Sequence, residues 1–130
     1  MSDLTLAALL DEEELYFEPT AGVYDLDAIA AHIATIGFAA RDVADPEMVM
    51  IVDTAEGRDA ALARRKAHPA DGFPFVLLVR LTPGRITVSP VNDGDLATLS
   101  AGLLAWLAAV QPCRVLNDSQ TDVTAAVLAG

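Results

Sequence analysis

The side chains able to move protons, attack carbon or hold a metal are few in this chain, and they are scattered. The usual bases and nucleophiles amount to His32, His68, Cys113 and Lys66. An unperturbed histidine titrates near neutrality and so suits general-base or switching roles. His32, however, falls at the edge of an apolar helical stripe, where a ring packs at the core boundary. His68 stands before Pro69 and beside Arg64, Arg65 and Lys66, which reads as a helix end where basic groups suit the dipole. Arg114 next to Cys113 could lower the thiol's pKa. A cysteine nucleophile also needs a base and a group to orient it, and the order of residues supplies neither. Cys113 therefore reads as a small core residue at a strand start.

The oxygen-rich run Asn92-Asp93-Gly94-Asp95, with Asn117-Asp118 and Asp122, offers ligands of the type calcium and magnesium prefer. The spacing of a calcium-binding loop is absent. Turn formation and helix capping account for these residues, so no metal and no cofactor is expected. Ser2, Ser89, Ser100 and Ser119 lack a nucleophile-elbow setting, and there is no phosphate-binding glycine loop.

What remains is charge. Every charged side chain from Asp3 to Glu56 is acidic except Arg41. The run Asp11, Glu12, Glu13, Glu14 is the densest part, with the aromatics Tyr16, Phe17 and Tyr24 close behind. Arg58, Arg64, Arg65 and Lys66 form the one basic cluster, a possible anion-binding group. The net charge is −11, which argues against nucleic acid, whose phosphates require basic residues. It argues equally against anionic membrane surfaces.

These residues must be carried on a fold. The chain is 130 residues long and 53% hydrophobic. That is enough for one domain, 1–130, with its own core. The longest apolar stretch, 96–110, is too short to span a bilayer. The N-terminus lacks the basic start of a secretory signal. One cysteine leaves no internal disulfide and points to a reducing, cytoplasmic setting. The arginine and alanine bias suggests a bacterial genome rich in G and C.

Residues 4–10 read as a short helix and 15–18 as a strand. Asp25 caps a helix over 26–36, whose Leu26, Ile29, Ile33 and Ile36 share one face. Strands follow at 38–43 and 48–52, then a helix over 54–67 with Asp53 and Glu56 as a capping box. Pro69, Gly72 and Pro74 mark a loop. FVLLVRL at 75–81 reads as a central strand, turning through Pro83-Gly84 into 86–89. Asp95 caps a helix over 96–110, with Leu96, Leu99, Leu103, Leu107, Val110 and Trp106 on its apolar side. A last strand covers 113–117; the tail from Asp118 has no clear pattern.

This order implies an α+β fold: an antiparallel-rich sheet with helices on one face. Its first six elements form a ferredoxin-like βαββαβ core, followed by an extra strand, helix and strand. The functional expectation is a non-catalytic, acidic protein-binding domain that neutralises or chaperones a basic protein partner. Its contact residues would be Asp11, Glu12, Glu13, Glu14, Tyr16 and Tyr24. The alternative is a small-molecule-binding or enzymatic domain using the basic cluster at 58–66. Self-association through exposed strand edges is a further option.

Overall fold

The computed structural model describes residues 5–42, 45–68, 70 and 76–129. Along the chain run α1 (Leu6–Leu9), β1 (Leu15–Pro19), α2 (Leu26–Ile36), β2 (Phe38–Arg41), β3 (Met48–Val52) and α3 (Ala55–Ala67). Then come β4 (Leu77–Thr82), β5 (Arg85–Ser89), α4 (Gly94–Val110), β6 (Cys113–Leu116) and α5 (Thr124–Ala129). The fold is α+β, and the strands form one antiparallel sheet in the order β2-β3-β4-β5-β1-β6.

The two-residue connection Pro83-Gly84 forces β5 to lie beside β4, with Thr82 opposite Arg85. Ile86 and Val88 then meet Phe17 and Leu15 of β1. Without that hairpin the strands stand as β2-β3-β1-β6, an order compatible with a ferredoxin-like sheet whose fourth strand is β6. The first six elements do not form that unit alone, because β4 pairs with β3 and β5 and not with β1.

Alternation along the strands decides which residues enter the core. Leu15, Phe17, Val49, Ile51, Leu77, Val79, Leu81, Ile86, Val88 and Val115 point to one side and are buried. There they meet Leu9 of α1, Ile29 and Ile33 of α2, Leu103, Leu104 and Leu107 of α4, and Val127 of α5. Burying a side chain of this size stabilises by about 1.5–3 kcal/mol, so this layer dominates the fold. The α4 stripe is centred on Ser100, Leu103, Leu104 and Leu107. Val110, expected on it, is 45% exposed.

The expectation that all helices share one face is corrected by β3. Its alternate residues Met50 and Val52 are buried on the opposite side, in a second cluster with Val76. Ala61 and Leu62 of α3 pack on that cluster, so α3 covers the second face. A strand hydrophobic at every position needs cover on both sides, which is why MVMIV lies between two helical layers.

Caps set the helix ends. Asp25 accepts from the Ala28 amide as expected. For α3 the cap is Thr54, whose Oγ accepts from Gly57 N at 3.0 Å, and not Asp53. Before α4 the cap position is Asp93, without a side-chain bond, and not Asp95. The tail forms α5, opened by Asp122, whose Oδ1 accepts from Thr124 N at 2.9 Å. Pro69, Gly72 and Pro74, with the start of the predicted strand at 75, lie outside the described residues.

Candidate functional site: an open sheet face with an acidic rim

α3 covers the second sheet face only over β2, β3 and the near side of β4. Across β4, β5, β1 and β6 that face carries no helix among the described residues. Pairing places Met48, Arg80, Thr87, Tyr16 and Leu116 in one row across it. A neighbouring row runs Thr82, Arg85, Glu18, Arg114. Glu18 accepts from Arg114 Nη2 at 2.8 Å and lies 3.8 Å from Arg85 Nε. The Arg85 guanidinium also sits 5.2 Å from the centre of the Tyr16 ring. Arg80 pairs with Asp45 at 2.8 Å and Glu47 at 3.3 Å. Its hydrogen bond to Asp45 lowers the carboxyl's pKa and raises that of Arg80. These arginines are each matched by an acid, so the face is polar and locally balanced.

The rim at the start of β1 is different. Leu9, Leu10 and Leu15 are buried and anchor both ends of the acidic run. Between them the backbone amides of Glu13 and Glu14 donate to Oδ2 of Asp118, at 2.9 and 3.4 Å. Asn92 donates to Asp11 at 2.7 Å, and Asn117 to Glu12 at 3.5 Å. Asn117 also organises its own turn by accepting from Ser119 N and Thr121 N. Two acidic loops are thereby fastened to each other, and a fifth carboxylate joins the four in sequence. Among the described residues no arginine or lysine forms an ion pair with any of these five acids. Nor does a group of three or more carboxylates converge as metal ligands there. Asp11, Glu13 and Asp118 are exposed, and Glu12 and Glu14 are partly exposed.

Tyr16 links rim and face: its hydroxyl donates to Glu14 Oε1 at 3.4 Å. Burial, then the negative charges of Glu14 and Asp118, raise its pKa. Tyr24, expected beside it as a surface contact, is only 3% exposed and belongs to the core. Its backbone is tied to the β4–β5 turn, where Tyr24 N donates to Pro83 O at 2.9 Å. The Tyr24 hydroxyl is buried without a hydrogen-bond partner among the described residues. Burial raises its pKa first and the adjacent Cys113 thiol raises it further. Burial likewise raises the pKa of Cys113, which keeps it a thiol and opposes nucleophilic use.

The four basic residues do not converge. Arg58 lies 5.8 Å over the Phe38 ring and 3.3 Å from Asp59. Arg65 forks onto the buried Asp42, with Nη2 to Oδ2 at 3.0 Å and Nε to Oδ1 at 3.4 Å. Arg64 borders a separate hollow with Val76 and Leu96, and Lys66 is exposed. Helical spacing explains this: residues 58 and 65 face the sheet together, while 64 and 66 are turned away. Arg58 does line an open cavity of about 430 Å³ with Asp53, Thr35 and Phe38. His32 stacks flat on Trp106, with centroids 3.8 Å apart, as a packed boundary ring. His68 is exposed at the end of α3.

Sequence reading missed Asp118 as a member of the rim, because it is far from Glu13 in the chain. The composition of Asn117-Asp118 signalled a turn but not what that turn would touch. No protein-family model, curated protein or solved structure matches this chain.

Proposed function

We propose that this chain is a non-catalytic protein-binding domain that holds a basic protein partner on its acidic rim, neutralising or chaperoning it. The observation that carries this reading is the fastening of Asp11–Glu14 by Asp118. A free acidic run relieves repulsion by moving apart in solvent. Here the backbone of the run is instead fixed by the carboxylate of another acid, and among the described residues no arginine or lysine forms an ion pair with the five acids. A surface whose backbone is already fixed loses less entropy on binding a cationic partner. Tyr16 gives the rim an aromatic edge of the kind that anchors interfaces.

The arginines with ion pairs serve other acids of the chain, which leaves the rim as a dense unbalanced segment of a chain with net charge −11. Complementary charge of this kind speeds encounter and makes binding depend on salt. No helix among the described residues is long and apolar enough to cross a membrane. A single, half-buried thiol fits a reducing compartment, which supports placing the activity in a bacterial cytoplasm. The test is affinity capture from the native cell, at low and at high salt. A basic protein retained at low salt, released at high salt and lost when Glu12, Glu13 and Glu14 become Gln supports the reading. Retention that ignores both salt and these substitutions contradicts it.

A further inference from the structure

The two lateral edges of the sheet are treated differently by the chain. At β6 the outward groups of Val115 are satisfied: its amide donates to Thr124 Oγ at 2.8 Å, and its carbonyl accepts from Val123 N at 2.8 Å. The bridge between Leu116 and Asp122 closes that edge further. At β2 nothing comparable occurs. Asp42 N donates to Met48 O at 2.9 Å, which fixes the phase of the ladder: residues 38, 40 and 42 bond toward β3. Ala39 and Arg41 therefore direct both amide and carbonyl away from the sheet. No hydrogen bond reaches those four groups from the described residues.

We infer that β2 is a self-association edge, pairing antiparallel with β2 of a second copy of this chain. A two-fold axis perpendicular to the sheet keeps each face on its own side. It allows the register in which Ala39 faces Arg41 of the second copy and Ala40 faces itself. That register satisfies all four outward groups of each strand. The side chains suit close approach. Ala39 and Ala40 are small, and α2 places Ala30 and Ala34 beside the edge. A shallow apolar hollow of about 190 Å³ lies between α2 and β2, lined by Ala30, Ile33, Ala39 and Val49 among others. Phe38 is 42% exposed at the same edge.

Charge favours a like copy here. Arg58 pairs with Asp59 and Arg65 with Asp42, Arg41 donates to Pro46 O, and Asp53 shares a hollow with Arg58, so this edge carries both signs while the chain as a whole is strongly acidic. Two copies can meet through β2 without bringing their acidic rims together, since β6 and β2 are opposite edges. The inference is independent of the partner-binding reading and survives its failure.

The test is sedimentation velocity of the full chain over a wide concentration series, paired with Ala39→Pro. Proline at an outward-facing edge position removes an amide that β3 does not use, so circular dichroism and thermal midpoint should stay close to wild type. A dimer weakened about tenfold or more by Ala39→Pro is expected, because each copy loses a hydrogen bond. In a Cys113→Ala background, Ala40→Cys should cross-link to its counterpart under mild oxidation, as a non-hydrogen-bonded antiparallel pair brings Cα atoms to about 4.5 Å. Ala39→Cys, whose counterpart is displaced along the strand, should not. A monomer at all concentrations with no Ala40→Cys cross-link overturns the inference, as does a dimer indifferent to Ala39→Pro. Capture of a different protein at this edge, abolished by the same proline, also overturns it.

Discussion

Arg65→Ala tests how the second face is held. α3 has no fully buried residue, so its attachment rests on partly buried contacts: Ala61 and Leu62, Arg58 over Phe38 and the fork from Arg65 to Asp42. The Asp42 side chain is 5% exposed and that of Arg65 17%. Removing one partner of a buried pair typically costs 3–5 kcal/mol, roughly, because the other charge keeps its desolvation penalty. Allowing for the exposed part of Arg65, the expected loss is about 2–3 kcal/mol. At about 4 °C per kcal/mol for a domain of this size, the thermal midpoint should fall by about 8–12 °C. Urea unfolding measures the loss directly. The double substitution Asp42→Ala with Arg65→Ala should be less destabilising than Arg65→Ala alone, since it also removes the buried carboxylate that has lost its guanidinium. A loss under about 1 kcal/mol for Arg65→Ala, or a double variant as unstable as the sum of the singles, refutes the argument.

Tyr24→Phe should be neutral or stabilising by about 0.5–1 kcal/mol, because it deletes a buried hydroxyl that, among the described residues, has no partner better than the adjacent Cys113 thiol; a clear loss in urea unfolding would show that the hydroxyl is satisfied. Gly37→Ala should destabilise by about 1–3 kcal/mol, since a Cβ there would stand 2.8 Å from Ile51 Cγ2 and 3.0 Å from Val52 O; an unchanged midpoint contradicts that steric reading. Asp122 is held below its ordinary pKa of 3.8 by the Thr124 side chain and then its amide. With the folded pKa below the unfolded one, its contribution is complete above about pH 3.8 and is lost as pH falls through the depressed value. Stability measured from pH 5 to 2 should therefore fall less steeply in Asp122→Asn than in wild type, and identical slopes would count against the assignment.

Much of the fold is legible in residue spacing. The aromatic-rich LYFE, the apolar run FVLLVRL, the helical recurrence of Leu26, Ile29, Ile33 and Ile36, and the Pro83-Gly84 turn each signal an element locally. What the spacing does not carry is which strands become neighbours. β1 finds β5 and β6 from the far end of the chain, and no local signal in Leu15 to Glu18 names those partners. MVMIV held a readable clue to two-sided burial, since every position is apolar, and with it the placement of α3. The tail escaped because Val123 and Val127 are too few to show a period. At the candidate site, the acids from Asp11 to Glu14 were visible as composition, whereas Asp118 enters only through a long-range hydrogen bond. Tyr24 lies as close in sequence to the acids as a surface anchor would, yet the turn at Pro83 draws it inward. The basic cluster looked like a site because its members are adjacent in sequence, and helical geometry separates them.

Neutralising the rim tests the central claim most directly. With Glu12, Glu13 and Glu14 replaced by Gln and the melting temperature checked, the native-cell partner's affinity should fall at least tenfold. Its logarithmic dependence on salt should flatten at the same time. An unchanged affinity with an unchanged salt slope, in a variant that remains folded, contradicts recognition through this surface.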